Sequence, residues 1–118
     1  MLATVRGDVH DIGKNIVRAV LENYGYRMID LGRDVPPKTV VEAVKSSGAK
    51  LAGLSALMTT TLPAMAETIQ LLHAECPDCK VCVGGAVLTE PYARSIGADY
   101  YAPDASATVA AARDVYGQ

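Results

Sequence analysis

The sequence predicts a doubly wound α/β domain, a five-stranded parallel sheet with helices on both faces, and three observations carry that prediction. Short β-rich runs alternate with stretches of helical period along the chain. Gly or Pro stands at most of the changeovers. The β-rich runs are short and apolar, as strands covered on both faces of a parallel sheet should be. At 118 residues the chain is expected to form one domain, 1–118, around a single core.

Leu2 to Arg6 reads as the first strand and stops at Gly7. From Ile12 the apolar residues Ile16, Val17, Val20, Leu21 and Tyr24 recur at helical spacing, and Gly25 closes that helix. Tyr26 to Leu31 is the second strand. Pro36 and Pro37 open a helix with Val40, Val41 and Val44 on one face and Gly48 at its end. Leu51 to Leu54 follows as a buried strand. A helix from about Pro63 turns Met65, Ala66, Ile69 and Leu72 inward. Val81 to Val83 is the fourth strand, ended by Gly84-Gly85. A helix from about Thr89 to Ile96, a strand from Asp99 to Ala102 and an Ala-rich helix from Asp104 to Tyr116 complete the pattern.

Five β–α units with short connections point to the flavodoxin-like strand order 2-1-3-4-5. Ligands of such sheets bind beyond the carboxyl ends of the strands, beside strand one. The polar and glycine-rich clusters fall at those ends: Gly7 to Gly13, Ser55 to Thr61, Gly84 to Ala86 and Tyr101 to Ala105. Trp and Phe are absent, so the core must be aliphatic, with Met58 and Met65 expected within it. A net charge of −2 gives no electrostatic reason to expect nucleic acid or an anionic membrane. No run is apolar enough to span a bilayer, and no signal segment opens the chain. Three cysteines without a secretory context indicate a reducing, cytoplasmic setting.

Gly7-Asp8-Val9-His10-Asp11-Ile12-Gly13 is the most informative stretch. In an extended segment Asp8 and His10 emerge on one side. A neutral imidazole can bind a transition metal through one nitrogen while a carboxylate takes its other N–H, and Asp8 is placed for that. Gly7 and Gly13 allow backbone to approach a bulky ligand. On spacing alone two other readings stand. Asp8 and Asp11 could cap the helix beside a solvated His10, or the glycines could form a loose anion loop at the helix N-terminus. The stretch lacks the G-x-G-x-x-G and Walker patterns that would strengthen the latter.

Asp8-Val9-His10-Asp11-Ile12-Gly13 resembles the D-x-H-x-x-G signature of cobalamin-binding domains that hold B12 base-off and His-on. The run from Gly7 to Val17 is similar to the methyltransferase branch, which includes methionine synthase and the corrinoid proteins of methanol and methylamine systems. Leu54-Ser55-Ala56-Leu57, Val83-Gly84-Gly85-Ala86 and Tyr101-Ala102-Pro103-Asp104-Ala105 resemble later motifs of the family, in order. The resemblance implies a cofactor, cobalamin or another corrinoid, with His10 as lower ligand to cobalt and methyl-carrying as the task. It implies that Gly7, Asp8, Val9, His10, Asp11, Ile12 and Gly13 meet the cofactor. It places Ser55, Leu57 and Thr59 on one wall of a slot for the nucleotide tail, and Gly84, Gly85 and Ala86 on the other. Tyr101, Ala102, Pro103, Asp104 and Ala105 would close around the base and ribose. Thr61 would complete a relay with Asp8 and His10, although Thr59, Thr60 or Thr61 could equally cap the next helix. Methyltransferase proteins or domains would load and unload the methyl group. The four-helix cap that precedes this domain in the family is expected to be absent. The resemblance also leaves room for an adenosylcobalamin mutase module or a B12-dependent sensor.

His73-x-x-Cys76-x-x-Cys79-x-x-Cys82 has metal-like spacing. The alternation puts these residues on a helix, a loop and a strand, so they are not expected to converge on one ion.

Overall fold

A computed structural model describes residues 2–4, 12–26, 28–56, 58–85 and 88–116, with the backbone alone at 12–14 and 105. Among the described residues four parallel strands, β1 (Leu2–Thr4), β2 (Leu51–Ser55), β3 (Lys80–Gly84) and β4 (Tyr100–Tyr101), lie in the order β1-β2-β3-β4. The helices are α1 (Ile12–Asn23), α2 (Pro37–Ser47), α3 (Leu62–Glu75), α4 (Glu90–Ser95) and α5 (Ala105–Tyr116). A 3-10 turn at Thr59–Thr61 leads into α3.

Local chemistry sets the boundaries. Pro36 caps α2 with φ −63°, Pro37 opens its first turn, and Gly48 ends it at φ 69° with its N–H bonded to Val44 O. Strand alternation then sorts the core. Ala3, Ala52, Leu54, Val81 and Val83 face α2, α3 and α4, where Met65, Ile69 and Leu72 are at most 1% exposed. Each of those three contributes about 1.5–3 kcal/mol by burial. Leu51, Cys82 and Ala102 face the other way, toward Leu21 of α1 and Val109 and Ala112 of α5. Among the described residues no helix is long and apolar enough to cross a membrane.

The sheet corrects the expectation of five strands in the order 2-1-3-4-5. The expected second strand does lie along the free edge of β1, bonded through Leu2 N–H to Ile29 O and Leu31 N–H to Leu2 O, both at 2.8 Å. Among the described residues it pairs through an isolated parallel bridge, Leu2 with Asp30, rather than as a regular strand. The Asp30 carboxylate accepts the Gly32 N–H at 2.9 Å, and Gly32 and Asp34 turn the chain with φ 91° and 54°. The turn shifts the bonding, so that Thr4 N–H reaches Gly32 O and Thr4 O accepts from Val35 N–H, both at 2.9 Å, and the segment follows β1 without forming a regular strand.

Candidate functional site

On the sheet face toward α1 and α5, in-register residues stand in two rows. Leu2, Gly53, Cys82 and Tyr100 form one, and Thr4, Ser55 and Gly84 form the next, nearer the carboxyl ends. Gly53, Ser55, Cys82 and Gly84 bring little bulk to these rows, so the helices cannot fill the space above them. A cavity of about 480 Å³ results, walled by Ile16 and Val17 of α1 and Thr108 of α5. This is the size of a small-molecule or cofactor site.

Of the residues singled out in the sequence, Ser55, Gly84, Gly85, Tyr101, Ala102, Pro103 and Asp104 line this one cavity. Three segments far apart in the chain therefore meet at one slot. Gly7, Asp8, Val9, His10, Asp11, Leu57 and Ala86 lie outside the described residues. Ile12 and Gly13 begin α1, and Ala105 begins α5. Thr59 and Thr61 are not among the described residues that line the slot. Both belong to the 3-10 turn between β2 and α3.

The glycine pair has a packing role that the sequence did not reveal. A Cβ on Gly85, at φ 140°, would come within 1.8 Å of Ala56 O. One on Gly84 would stand 3.1 Å from Ala102 O. Close approach of backbone to backbone thus requires small residues here before any ligand is considered. The closing motif is likewise held by the protein's own bonds. Asp104 Oδ1 accepts the Ala107 N–H at 2.9 Å, an N-terminal cap on α5, and Tyr101 OH donates to Leu88 O at 3.2 Å.

No side chain caps α3, so the alternative of a Thr cap is corrected. Thr61 is instead buried, and its hydroxyl donates to Met58 O at 2.8 Å. Met65 is core, but Met58 is 37% exposed on the loop after β2, against expectation.

His73 and the cysteines are split by the sheet. Cys76 and Cys79 belong to the core under α2 and α3, whereas Cys82 sits on the opposite face, in the slot. His73 Nε2 lies 3.1 Å from Asp99 Oδ2, which also accepts the Val81 N–H at 2.9 Å. Burial pushes Cys82 up to about 12 and is the main reason that Cys79 is pushed up to about 11, both from 9.0. The slot therefore presents a neutral thiol. The folded chain holds these protons more tightly than the unfolded one, so the associated stability is intact below about pH 9 and is lost as pH rises through about 11–12. Urea midpoints are expected to fall between about pH 8 and pH 11, and Cys82→Ala should flatten that slope.

Sequence reasoning missed Thr4, Gly53 and Cys82. Gly53 carried a usable signal, because a glycine inside a strand marks close approach of a ligand or backbone. Thr4 carried none, since its importance depends on its register with Ser55. It is 0% exposed, and its Oγ1 is the buried side-chain oxygen that has no partner among the described residues. An unpartnered hydroxyl beside a lined cavity fits a site for a group that brings polar atoms.

Residues 1–112 match the B12 binding domain family. The chain is 51% identical over 114 residues to dimethylamine corrinoid protein 1 of Methanosarcina acetivorans, across 95% of this chain and 54% of that protein. A crystal structure of a novel cobalamin-binding protein from Desulfitobacterium hafniense superposes with a TM-score of 0.91 at 41% identity, covering 97% of this chain and 57% of that one. A chain of the methanol:cobalamin methyltransferase complex of Methanosarcina barkeri gives 0.90 at 35% identity, covering 99% and 46%. The chain spans about half the length of the curated relatives it matches.

Proposed function

This chain belongs to the B12 binding domain family, and on that premise we propose that it is the methyl-carrying corrinoid module of a cobalamin-dependent methyl-transfer system. The observation that carries the reading is the slot, where Ser55, Gly84, Gly85 and the Tyr101–Asp104 segment come together beyond the strand ends. Its volume suits a cofactor tail, and its wall offers a Ser55 hydroxyl and small residues to a flat base. Bound there, a cobamide would supply a cobalt centre that accepts and releases a methyl group.

The protein's part is to hold and to tune. His10 would offer a neutral imidazole nitrogen to the cobalt, leaving the cofactor's own base free for the slot. Asp8 would take the other imidazole N–H, which fixes the tautomer and raises the basicity of the ligating nitrogen. Thr61 gives its hydroxyl proton to Met58 O, so in this arrangement it would serve a protonated Asp8 as an acceptor. Methyltransferase proteins or domains are the proposed partners, in keeping with the relative found in a methyltransferase complex. The three free cysteines, all buried, suit the cytoplasm proposed as its compartment.

The test is reconstitution with hydroxocobalamin. The wild-type chain is expected to give the absorbance spectrum of base-off, imidazole-ligated cobalamin. His10→Ala should lose that spectrum and bind at least about tenfold more weakly. An unchanged spectrum in the variant would rule out His10 as the ligand, and no binding by the wild type would end the reading.

A further inference from the structure

Thr4 sits where the slot meets its support. Its N–H donates to Gly32 O at 2.9 Å and its carbonyl accepts from Val35 N–H at 2.9 Å, so the backbone is pinned to the edge segment beside β1. Its side chain faces the other structure, the sheet face that carries Leu2 and Ser55. There its hydroxyl is completely buried and has no hydrogen-bond partner among the described residues. A valine has the same shape, favours strands and would avoid that penalty, so the hydroxyl needs a reason.

Its in-register neighbour supplies one. Thr4 pairs with Ser55 across parallel strands, on the same face and about 4.8 Å apart. Ser55 lines the slot, whereas Thr4 does not. Two hydroxyls at that spacing come within hydrogen-bond reach when their rotamers turn toward each other. A serine hydroxyl has one proton and two lone pairs. If Thr4 donates to it, the Ser55 proton must point elsewhere, into the slot.

We propose that Thr4 is a positioning residue for ligand recognition: with the slot filled, Thr4 Oγ1 donates to Ser55 Oγ, which directs the Ser55 proton to a hydrogen-bond acceptor on the buried base of the cobamide tail. The inference rests on the cobamide reading given above and makes the slot selective for an acceptor at its inner end. The linked hydroxyls strengthen each other in a low-dielectric site.

Thr4→Val, Thr4→Ser, Ser55→Ala and the Thr4→Val/Ser55→Ala double variant test it, titrated with cobalamin and with cobinamide, which has the corrin but lacks the base. Thr4→Val is expected to weaken cobalamin binding about fivefold and leave cobinamide binding unchanged. It should also raise the Tm of the ligand-free chain by about 4 °C, because a buried unpaired hydroxyl is removed. Thr4→Ser should bind as wild type, and Thr4→Val should add nothing on top of Ser55→Ala. Equal cobalamin affinity in Thr4→Val and wild type would overturn the proposal. So would equal losses for both ligands, a lowered ligand-free Tm, or additive effects in the double variant. If the wild type binds neither ligand, the cobamide reading itself falls and takes this inference with it.

Discussion

Replacing Gly85 with alanine is expected to destabilise the fold by at least about 3 kcal/mol, read as a Tm lowered by about 10 °C or more. Two effects add. The backbone at φ 140° is one that L side chains rarely adopt, and the new Cβ would fall 1.8 Å from Ala56 O. That oxygen belongs to a backbone that cannot yield freely, because Ala56 N–H is bonded to Gly84 O at 3.2 Å. Relief would have to part the carboxyl ends of β2 and β3, the two strands that floor the slot. Gly48→Ala is the control. Gly48 also has positive φ, 69°, but nothing lies within 4 Å of its missing side chain. Its replacement should cost only about 1 kcal/mol. If thermal or urea unfolding finds the two variants equally destabilised, the crowding at Gly85 is not what makes glycine necessary there.

The second large effect separates binding from folding. Gly53 lies in the middle of β2, in the row with Leu2 and Cys82, and its α-carbon floors the slot. A valine there suits a strand, so the fold should survive. Its two methyl groups would project into the space above the sheet and displace the flat base that the slot is proposed to hold. Gly53→Val is expected to weaken cobalamin binding by roughly 100-fold, or about 2.7 kcal/mol. Binding of cobinamide should stay as in wild type, since that ligand puts nothing in the slot. Equal binding of cobalamin by wild type and Gly53→Val would show that the cavity is not the seat of the tail.

Much of this was legible in residue order. Periodicity and punctuation gave the alternation of strands and helices because they are local: Pro37 and Gly48 bound α2 by their own backbone preferences. The motif residues that fall just after strands could be assigned to one end of the sheet for the same reason. The expected second strand is irregular on a point no period reveals, the turn through Gly32 and Asp34 that shifts its bonding to Thr4 onto Gly32 O and Val35 N–H. The role of Asp104 in capping α5 was also hidden, since a residue in a ligand motif and a helix cap look alike in sequence.

By itself, the sequence determined the α/β class, the family and the set of loops that can meet a cofactor, because motif, spacing and hydrophobic period are properties of chain order. Only the tertiary structure decided which of those loops share a cavity, since that follows from strand register. Register set Thr4 beside Ser55 and Gly53 beside Cys82. It also decided that Gly85 is glycine for the sake of Ala56, a contact between residues that are distant in sequence and fixed by the pairing of β2 with β3.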